Sequence, residues 1–353
     1  MLGYRQGLNP HDPRQLRDVN PHLNLSGYLY LYHPYILWLF APFALLPYRY
    51  ALLLHIMLSL AALSLLAVLW MRNFCPAVNI GRTLLLAVCL LLIFKQPIFA
   101  AVRSANFAIF EALLLWLALL ALRCERPVLF LFPLLLASFF KVTPVVLSLT
   151  FFCLPKWRRH LPGFAAGMLL GLVVWLGPLL TSAELFRSYV HYASTILVLE
   201  KGVHFNLSSY AFISDLLSRC GVKHNSYPAL AYLLSIMLCG LGTVVVLRKL
   251  NWERDKDTII FLALLAYALT MPRFKDYAFI QLIPIAFSLS LRYPLLILLN
   301  ISPLSLFAGD ADSALGFLTR YEPLLIVFIN WCFLVFLCIR PPSIVSVDRI
   351  NSA

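Results

Sequence analysis

Residues 127–160 read PVLFLFPLLLASFFKVTPVVLSLTFFCLPKWRRH, with one lysine between two apolar runs. Each run is shorter than the roughly 20 apolar residues that a membrane-spanning helix needs. Pro144 disfavours helical backbone at Thr143, and an ammonium in the middle of a span costs at least ~2.5–3.5 kcal/mol on insertion scales. We therefore predict a helical hairpin over residues 128–155, with Lys141 at its tip and both basic ends on one side. The alternative is one long kinked helix with Lys141 snorkelling to the interface.

The composition identifies the chain as a membrane protein. Its 353 residues are 62% hydrophobic and 12% charged, a balance that soluble domains do not show. Because lipid forces each spanning segment to bond its own backbone polar groups, we predict an all-α, polytopic transmembrane protein with about 10–11 spans. The net charge of +13 is spread over many loops. That distribution fits membrane orientation and contact with anionic membrane lipids, and it argues against a nucleic-acid partner.

The hydropathy pattern divides the chain into three parts. Residues 1–49 form an outer-face lead ending in an aromatic, proline-containing interfacial helix, residues 50–340 form the transmembrane domain, and residues 341–353 form a cytoplasmic tail. A large outer polar loop covers residues 181–228. Besides the hairpin, spans are predicted near Ala51–Met71, Arg82–Pro97, Asn106–Leu122, Pro162–Leu180, Ala229–Leu247, Thr258–Met271, Tyr277–Leu291, Tyr293–Phe307 and Pro323–Ile339.

Lysines and arginines in the short connections set the predicted orientation. When the hairpin counts as two crossings, four basic connections share the cytoplasmic side: Arg72 with Arg82, Arg123 with Arg126, Lys156 with Arg158 and Arg159, and Arg248 with Lys249, Arg254 and Lys256. The lead, the 95–106 connection, the 181–228 loop and the 272–276 connection then share the outer face. A single crossing at the hairpin breaks this agreement, which is a second reason to predict the hairpin.

The predicted outer face gathers cations, aromatic side chains and few acids. Such a surface suits binding of a lipid-linked phosphate or pyrophosphate, because Arg and Lys supply charge-assisted hydrogen bonds. The plainer interpretation is that ordinary loops carry ordinary charges and interfacial tyrosines. The residues concerned are Tyr32, His33, Lys95, Arg103, Asn106, Lys141, Thr143, His204, Asn206, Arg273, Lys275, Asp276 and Tyr277.

Glu111 is the one acid inside an apolar run, and an acid within a membrane is a functional hypothesis by default. It follows Arg103 by eight residues, or about 12 Å along a helix, which is far for direct pairing. A packed acid and a proton relay both remain open. The cysteines form no CxxC pair and no acidic cluster suits a divalent ion, so we predict neither a metal site nor a cofactor.

Five short motifs follow one another in a fixed order. They are Tyr30-Leu31-Tyr32-His33-Pro34 with Pro42 and Pro47 behind it, Arg103-Ser104-Ala105-Asn106, Phe140-Lys141-Val142-Thr143-Pro144 with the basic Lys156-Trp157-Arg158-Arg159, Asn206-Leu207-Ser208, and Met271-Pro272-Arg273-Phe274-Lys275-Asp276-Tyr277. Over roughly residues 5–290 this order resembles glycosyltransferase family 87, a polytopic family of the GT-C superfamily that uses polyprenyl-phosphate sugars. The second motif keeps only Asn106, and the last keeps Pro272 and Tyr277 but lacks the family's Trp and His.

The resemblance implies an inverting, GT-C-like glycosyltransferase of a bacterial inner membrane. It would move a hexose, with mannose as the first candidate, from a polyprenyl-phosphate sugar donor to a lipid or glycan acceptor on the outer face. The residues expected to bind the donor phosphate are Lys141, Arg103, Arg273 and Lys275. The residues expected to line the sugar or acceptor pocket are Tyr32, His33, Asn106, His204, Asn206 and Tyr277.

The family's expected general base is an acid that follows a first span, ahead of the stretch resembling Gly7-Leu8-Asn9-Pro10. The sequence as given starts after that position, so the resemblance implies either a further N-terminal span or a diverged relative. Asp12 and Asp18 are the nearest acids, and they are the candidates for the catalytic base although neither matches the family's position. The alternative from another class is a non-catalytic binder of lipid-linked glycans or a flippase.

Overall fold

The protein is built from helices. The structure, a computed structural model, describes residues 32–75, 80–81, 84, 95–103, 106–199, 206–222, 226–300 and 313–339. Within these ranges there are fifteen α-helices and three 3₁₀ helices, and no strand occurs. The predicted all-α class is therefore confirmed.

The helices run in the following order. The α-helices are α1 (Pro34–Leu39), α2 (Tyr48–Asn73), α3 (Lys95–Arg103), α4 (Ala108–Arg123), α5 (Pro127–Phe140), α6 (Trp157–Leu176), α7 (Pro178–Thr181), α8 (Ala183–Leu199), α9 (Ser209–Arg219), α10 (Ser226–Leu247), α11 (Trp252–Thr270), α12 (Ile283–Arg292), α13 (Leu295–Asn300), α14 (Ala314–Arg320) and α15 (Glu322–Ile339). The 3₁₀ helices are Ala41–Leu45, Thr143–Cys153 and Asp276–Leu282.

Four segments in the described part of the chain are long and apolar enough to cross a membrane. They are α2, the α6–α7 segment Trp157–Thr181, α10 and α15. Their outer surfaces carry exposed leucines such as Leu53, Leu170 and Leu238. A soluble protein would place polar groups there, whereas these side chains suit contact with lipid. The chain is a polytopic membrane protein.

The predicted spans coincide with helices where the structure describes them. The predicted spans near residues 51, 106, 162, 229, 258 and 323 correspond to α2, α4, α6 with α7, α10, α11 and α15. The predicted span 277–291 is divided into the 3₁₀ helix Asp276–Leu282 and α12, whose first turn contains Pro284. The predicted span 82–97 lies largely outside the described residues, and of the predicted span 293–307 the structure describes residues 293–300, which include α13. The total number of spans therefore stays a prediction.

The two regions predicted to lie at the membrane surface also contain helices. In the lead, Pro34 opens α1 and Pro42 opens the 3₁₀ helix Ala41–Leu45, so the interfacial segment is broken into short pieces as its prolines suggest. The rest of the lead lies outside the described residues. The 181–228 region holds α8, α9 and the start of α10. The side of the membrane on which these regions lie stays a prediction.

The stretch 128–155 folds as the predicted hairpin. Helix α5 ends at Phe140, Lys141 is extended with φ −149° and ψ 137°, and the second arm follows. The outer ends of both arms reach the start of α6, because Phe151 stacks on Phe164 at 3.9 Å between ring centroids and Leu131 faces Gly167. A single kinked helix would carry its two ends apart, so that alternative is excluded.

The second arm, Thr143–Cys153, is a 3₁₀ helix rather than the expected α-helix. A 3₁₀ helix rises about 2.0 Å per residue against about 1.5 Å for an α-helix. The 11-residue second arm and the 14-residue α5 therefore both measure roughly 21–22 Å. Because the two arms are equally long, they span the same depth of the membrane and meet at Lys141. Since the hydrocarbon core is ~30 Å thick, a hairpin entering from one side ends short of the opposite surface.

Helix α6 presents glycines to α5 one helical turn apart. A Cβ atom at Gly167 would lie 2.9 Å from Leu131 Cδ1, and a Cβ atom at Gly171 would lie 2.5 Å from Leu135 Cδ1. Small residues at this spacing allow two helices to approach closely in a membrane. Since the pairs advance together along both helices, α5 and α6 run side by side in the same direction, towards the hairpin tip.

Helices α4 and α11 occupy the centre of the bundle, and most of their side chains are buried. Trp116 of α4 donates its indole N–H to the Gln281 carbonyl oxygen at 2.8 Å, which fixes α4 against the 3₁₀ helix Asp276–Leu282. At the far end of α4, Arg123 Nε lies 2.6 Å from Asp257 Oδ1 of α11. These two contacts fix the middle and the C-terminal end of α4.

Candidate functional site

Lys141 lies at the tip of the hairpin, where α5 has ended and the second arm has yet to begin. Its backbone N–H donates the last hydrogen bond of α5, to the Ala137 carbonyl at 3.1 Å. The Lys141 side chain is 21% exposed, and its Nζ lies 3.2 Å from Glu111 Oε2. Nζ also lies 5.1 Å from the centroid of the Tyr277 ring, within the range of a cation–π contact. The predicted phosphate-binding lysine is thus fixed by an acid and an aromatic ring.

Glu111 is buried in the first turn of α4, with a side chain that is 6% exposed. A carboxylate at this end of a helix is favoured by the helix dipole. The sequence interpretation left Glu111 as a packed acid or a proton relay and did not pair it with Lys141. The signal was present, because two opposite charges, each inside an apolar run, are costly unless they meet.

Tyr32 packs beside this ion pair. Its ring meets Phe107 edge-on at 5.0 Å between centroids, and it lies within electrostatic reach of Glu111 and Arg273. Burial raises the pKa of the Tyr32 hydroxyl, so it remains a neutral hydrogen-bonding group at any physiological pH. Tyr32 therefore contributes a phenol to the site.

The polar groups of neighbouring segments close around the same point. The Tyr277 hydroxyl is hydrogen-bonded to the Asn106 side chain. Asn106 also caps α4, because its Oδ1 accepts the Ala108 N–H at 3.0 Å. The Thr143 and Tyr267 hydroxyls lie 3.0 Å apart and join the hairpin tip to α11. The sequence analysis named Thr143 among the outer-face residues without giving it a role, and it did not name Tyr267.

The Asn206-Leu207-Ser208 motif holds the turn that carries the other predicted cations. Asn206 Oδ1 accepts the Phe274 N–H at 3.1 Å and the Ser208 N–H at 3.3 Å. Ser208 Oγ donates to the Pro272 carbonyl at 2.7 Å, and Asn206 forms an isolated antiparallel bridge with Lys275. The predicted pocket residue Asn206 therefore uses its amide oxygen to fix the backbone between α11 and the 3₁₀ helix Asp276–Leu282.

Asp276 is a second acid of the site, at the start of that 3₁₀ helix. Its Oδ1 accepts the Tyr277 N–H at 2.7 Å. Burial raises the pKa of the Asp276 carboxyl, while the Tyr277 N–H and the charges of Lys275 and Lys141 act in the opposite direction. Asp276 is therefore a half-buried carboxyl next to two cations.

His33 is fully buried and its ring nitrogens are bonded within the protein. Nδ1 accepts the Tyr35 N–H at 3.4 Å, and Nε2 lies 2.9 Å from the Trp175 carbonyl oxygen. Since a carbonyl only accepts, Nε2 carries the proton and the ring is neutral. The His33 backbone N–H donates to Phe139 O at 3.1 Å, close to the hairpin tip. His33 thus anchors the segment that presents Tyr32.

The remaining predicted site residues are only partly open to comparison. Asp12, Asp18 and His204 lie outside the described residues, and Arg103 is described as the last residue of α3 without its side chain. Arg273 lies within electrostatic reach of Tyr32 and Tyr277. Across the described ranges, no three His, Cys, Asp or Glu side chains are grouped as metal ligands would be.

The site joins cations, two acids and several phenols at the tip of a membrane hairpin. Lys141, Arg273 and Lys275 can donate charge-assisted hydrogen bonds to a phosphate, while Tyr32, Asn106 and Tyr277 offer the mixed aromatic and polar surface that suits a sugar. Fold and site together define a helical membrane protein with a cluster of cations, acids and phenols at the tip of a hairpin.

Comparison with known families identifies the chain further. The sequence profile of glycosyltransferase family 87 matches residues 30–273. The chain therefore belongs to glycosyltransferase family 87, and the family expected from the motif order is confirmed. The match spans Tyr32, Glu111, Lys141 and Asn206 and ends at Arg273. Comparisons with curated proteins and with solved structures gave no match.

Proposed function

We propose that this protein is a polyprenyl-phosphate-dependent hexosyltransferase that transfers a hexose, with mannose as the first candidate, to a lipid or glycan acceptor. Membership of family 87 supports glycosyl transfer by a multi-pass membrane protein. The donor class is supported by the position of Lys141 at the tip of an apolar hairpin. A phosphate attached to a lipid reaches such a recess more readily than a fully hydrated nucleotide sugar does.

The observation that carries the proposal is the convergence of predicted site residues from separate segments. Tyr32, Asn106, Lys141, Arg273 and Tyr277 are far apart in sequence, yet all lie around the Lys141–Glu111 ion pair. If these residues were ordinary loop charges and interfacial tyrosines, their side chains would not be expected to cluster around one ion pair. A shared anionic, hydroxyl-rich ligand accounts for the cluster.

In the proposed reaction, an acceptor hydroxyl oxygen attacks the anomeric carbon from the face opposite the phosphate, so the configuration inverts. The bond between the anomeric carbon and the phosphate oxygen breaks, and its electron pair leaves with the polyprenyl phosphate. Lys141 and Arg273, with Arg103 and Lys275, stabilise the charge that develops on that phosphate, which lowers the barrier by ~3–4 kcal/mol for each well-placed donor. No metal or nucleotide is required, because the carrier phosphate is itself the leaving group.

The acceptor hydroxyl gives up its proton to a carboxylate base. Asp12 and Asp18 are the candidates for this base, as expected from the sequence. Tyr32, Asn106, Tyr277 and His204 bind the sugar or acceptor, while Asn206 and His33 hold the segments that carry binding groups. The site opens to the outer face of a bacterial inner membrane.

The test is a transfer assay on the full chain in lipid vesicles, with radiolabelled polyprenyl-phosphate mannose as donor and a membrane lipid extract as acceptor source. Lys141→Ala should lower kcat/KM by about 10²–10³-fold, because a leaving-group contact is lost. Lys249→Ala removes an exposed lysine at the end of α10 and is the control. Unchanged activity of Lys141→Ala would remove Lys141 from the mechanism. Donor binding without any transfer by the unaltered protein would favour a glycan binder or flippase.

A further inference from the structure

Glu111 has no part in the reaction proposed above, yet its carboxylate is in direct contact with the ammonium of Lys141. Its Oε2 lies 3.2 Å from Nζ, and its side chain is almost completely buried. The contact joins the first turn of α4 to the tip of the hairpin. Any ligand that meets Lys141 therefore meets an ammonium whose location Glu111 helps to decide.

Stability alone gives a weak reason for this ion pair. Removing two charges from water offsets most of their attraction, and apolar replacements of buried pairs are often neutral or stabilising. Helix α4 already has other anchors, since Trp116 bonds Gln281 and Arg123 pairs with Asp257. The Arg123 and Asp257 side chains are 27% and 19% exposed, so water reaches that pair more easily than it reaches Glu111.

The geometry gives a stronger reason. Lysine carries its charge on a flexible four-carbon stem, and its ammonium has three N–H donors. Among the described contacts, the Glu111 carboxylate and the Tyr277 ring occupy two directions around Nζ. A third direction is left for a phosphate oxygen. Because like charges repel, a phosphate must approach on the side of Nζ that faces away from Glu111.

We propose that Glu111 is a positioning residue for Lys141: it holds the ammonium where its remaining donor meets the donor phosphate as leaving-group charge develops. This inference rests on the proposed transfer reaction. A misplacement of about 1 Å in such a group can lower the rate ~10²-fold. The loss falls on kcat more than on KM, because the contact is strongest in the transition state.

The first experiment compares the unaltered protein with Glu111→Gln and with Asp257→Asn in the vesicle transfer assay. Glu111→Gln keeps the side-chain volume and removes the charge, and it should lower kcat about 10–100-fold with KM changed less than about threefold. Asp257→Asn breaks the other ion pair of α4 and should lower the melting temperature while kcat and KM persist. Equal kinetic behaviour of the two variants at equal loss of melting temperature would make Glu111 structural and overturn the inference.

The second experiment asks whether geometry can be restored. Glu111→Asp shortens the acid and Lys141→Arg lengthens the cation, so each single variant should lose kcat and the double variant should recover at least about tenfold over Glu111→Asp. Additive losses would contradict a positioning role. The same would follow if any variant raised KM at unchanged kcat, because Glu111 would then act on ground-state binding.

A binding measurement separates this inference from the proposed reaction. The probe is a short-chain polyprenyl phosphate, and the matching uncharged polyprenol is the control. The free phosphate carries the charge that develops on the leaving group in the transition state, whereas the intact sugar donor does not. Glu111→Gln should therefore weaken binding of the phosphate about tenfold, although KM for the donor changes little, and leave binding of the polyprenol unchanged. Tighter phosphate binding by Glu111→Gln would show that the Glu111 carboxylate only repels the phosphate, and it would overturn the inference. If the unaltered protein binds the phosphate but transfers no sugar, the proposed function fails. The ratio of the phosphate affinities of the unaltered protein and Glu111→Gln would still test whether Glu111 positions Lys141.

Discussion

At the scale of single residues, Asp276 gives the site a titratable group that can be followed directly. Burial raises the pKa of its carboxyl despite the nearby lysines. The folded protein therefore binds the Asp276 proton more tightly than the unfolded chain does. As pH rises from the ordinary aspartate pKa of about 3.9 through the raised value, the free energy of unfolding should fall, and above that window the loss is constant.

Asp276→Asn should remove this slope and be more stable than the unaltered protein at neutral pH. The measurement is the melting temperature of both proteins between about pH 4 and about pH 7 in one detergent. Glu253→Gln removes an exposed carboxyl at the start of α11 and controls for the change of net charge. A slope that survives in Asp276→Asn would assign the titration to another group.

Single residues also show which parts of the site can be predicted from the sequence and which depend on the fold. Lys141 is recognisable from the sequence as a candidate site residue, because a charge inside an apolar run is costly and is usually functional. Its contact with Glu111 is not recognisable, because it depends on how α4 is rotated about its axis and how deep the hairpin tip lies. His33 was expected in the sugar pocket, but its Nε2 bonds the carbonyl of Trp175, far away in the chain. A histidine's role depends on such distant partners.

At the scale of elements, the close approach of α5 and α6 decides where the hairpin tip stands. A Cβ atom at Gly171 would overlap the Leu135 side chain, with Cδ1 at 2.5 Å and Cδ2 at 2.8 Å. Gly171→Leu should separate the two helices and reduce the free energy of unfolding by about 1–3 kcal/mol. Because Lys141 terminates α5, transfer activity should fall as well.

Gly163→Leu is the matched control, because a Cβ atom at Gly163 meets nothing within 4 Å. Both variants add the same side chain to the same helix, so a difference between them isolates the packing against α5. The measurements are the melting temperature in detergent and kcat in vesicles. Equal melting temperatures for the two variants would show that α5 and α6 do not need this close contact.

Helix positions follow from hydropathy more reliably than helix types do. An apolar run of the right length predicts α2 or α10 within a few residues. Nothing in the sequence indicates that Thr143–Cys153 forms a 3₁₀ helix. An apolar run fits either helix type, because the two types differ in backbone hydrogen-bond pattern and rise per residue rather than in the side chains they bury. Pro284 hinted at the break before α12, although prolines also occur inside unbroken membrane spans.

At the scale of the whole molecule, the hairpin sets the orientation of every later element. A hairpin returns the chain to the side from which it came, whereas a single crossing leaves it on the other side. The structure supports the hairpin through Phe151 and Leu131, which both meet the start of α6. The positions of lysine and arginine in the short connections predict the same hairpin, because they indicate on which side of the membrane each connection lies and do not depend on helix packing.

Two native cysteines can test that orientation. Cys124 is exposed in the turn between α4 and α5, and Cys220 is exposed at the end of α9. In single-cysteine variants, with the other cysteines replaced by serine, a membrane-impermeant maleimide added to sealed right-side-out vesicles should label Cys220. It should label Cys124 only after the vesicles are opened. The reason is that, in the predicted orientation, the hairpin brings the chain back to the cytoplasmic side before α6 crosses to the outer face. Labelling of both cysteines from one side would mean that residues 128–155 cross once, and Lys141 would then lose its place in a site that opens outward.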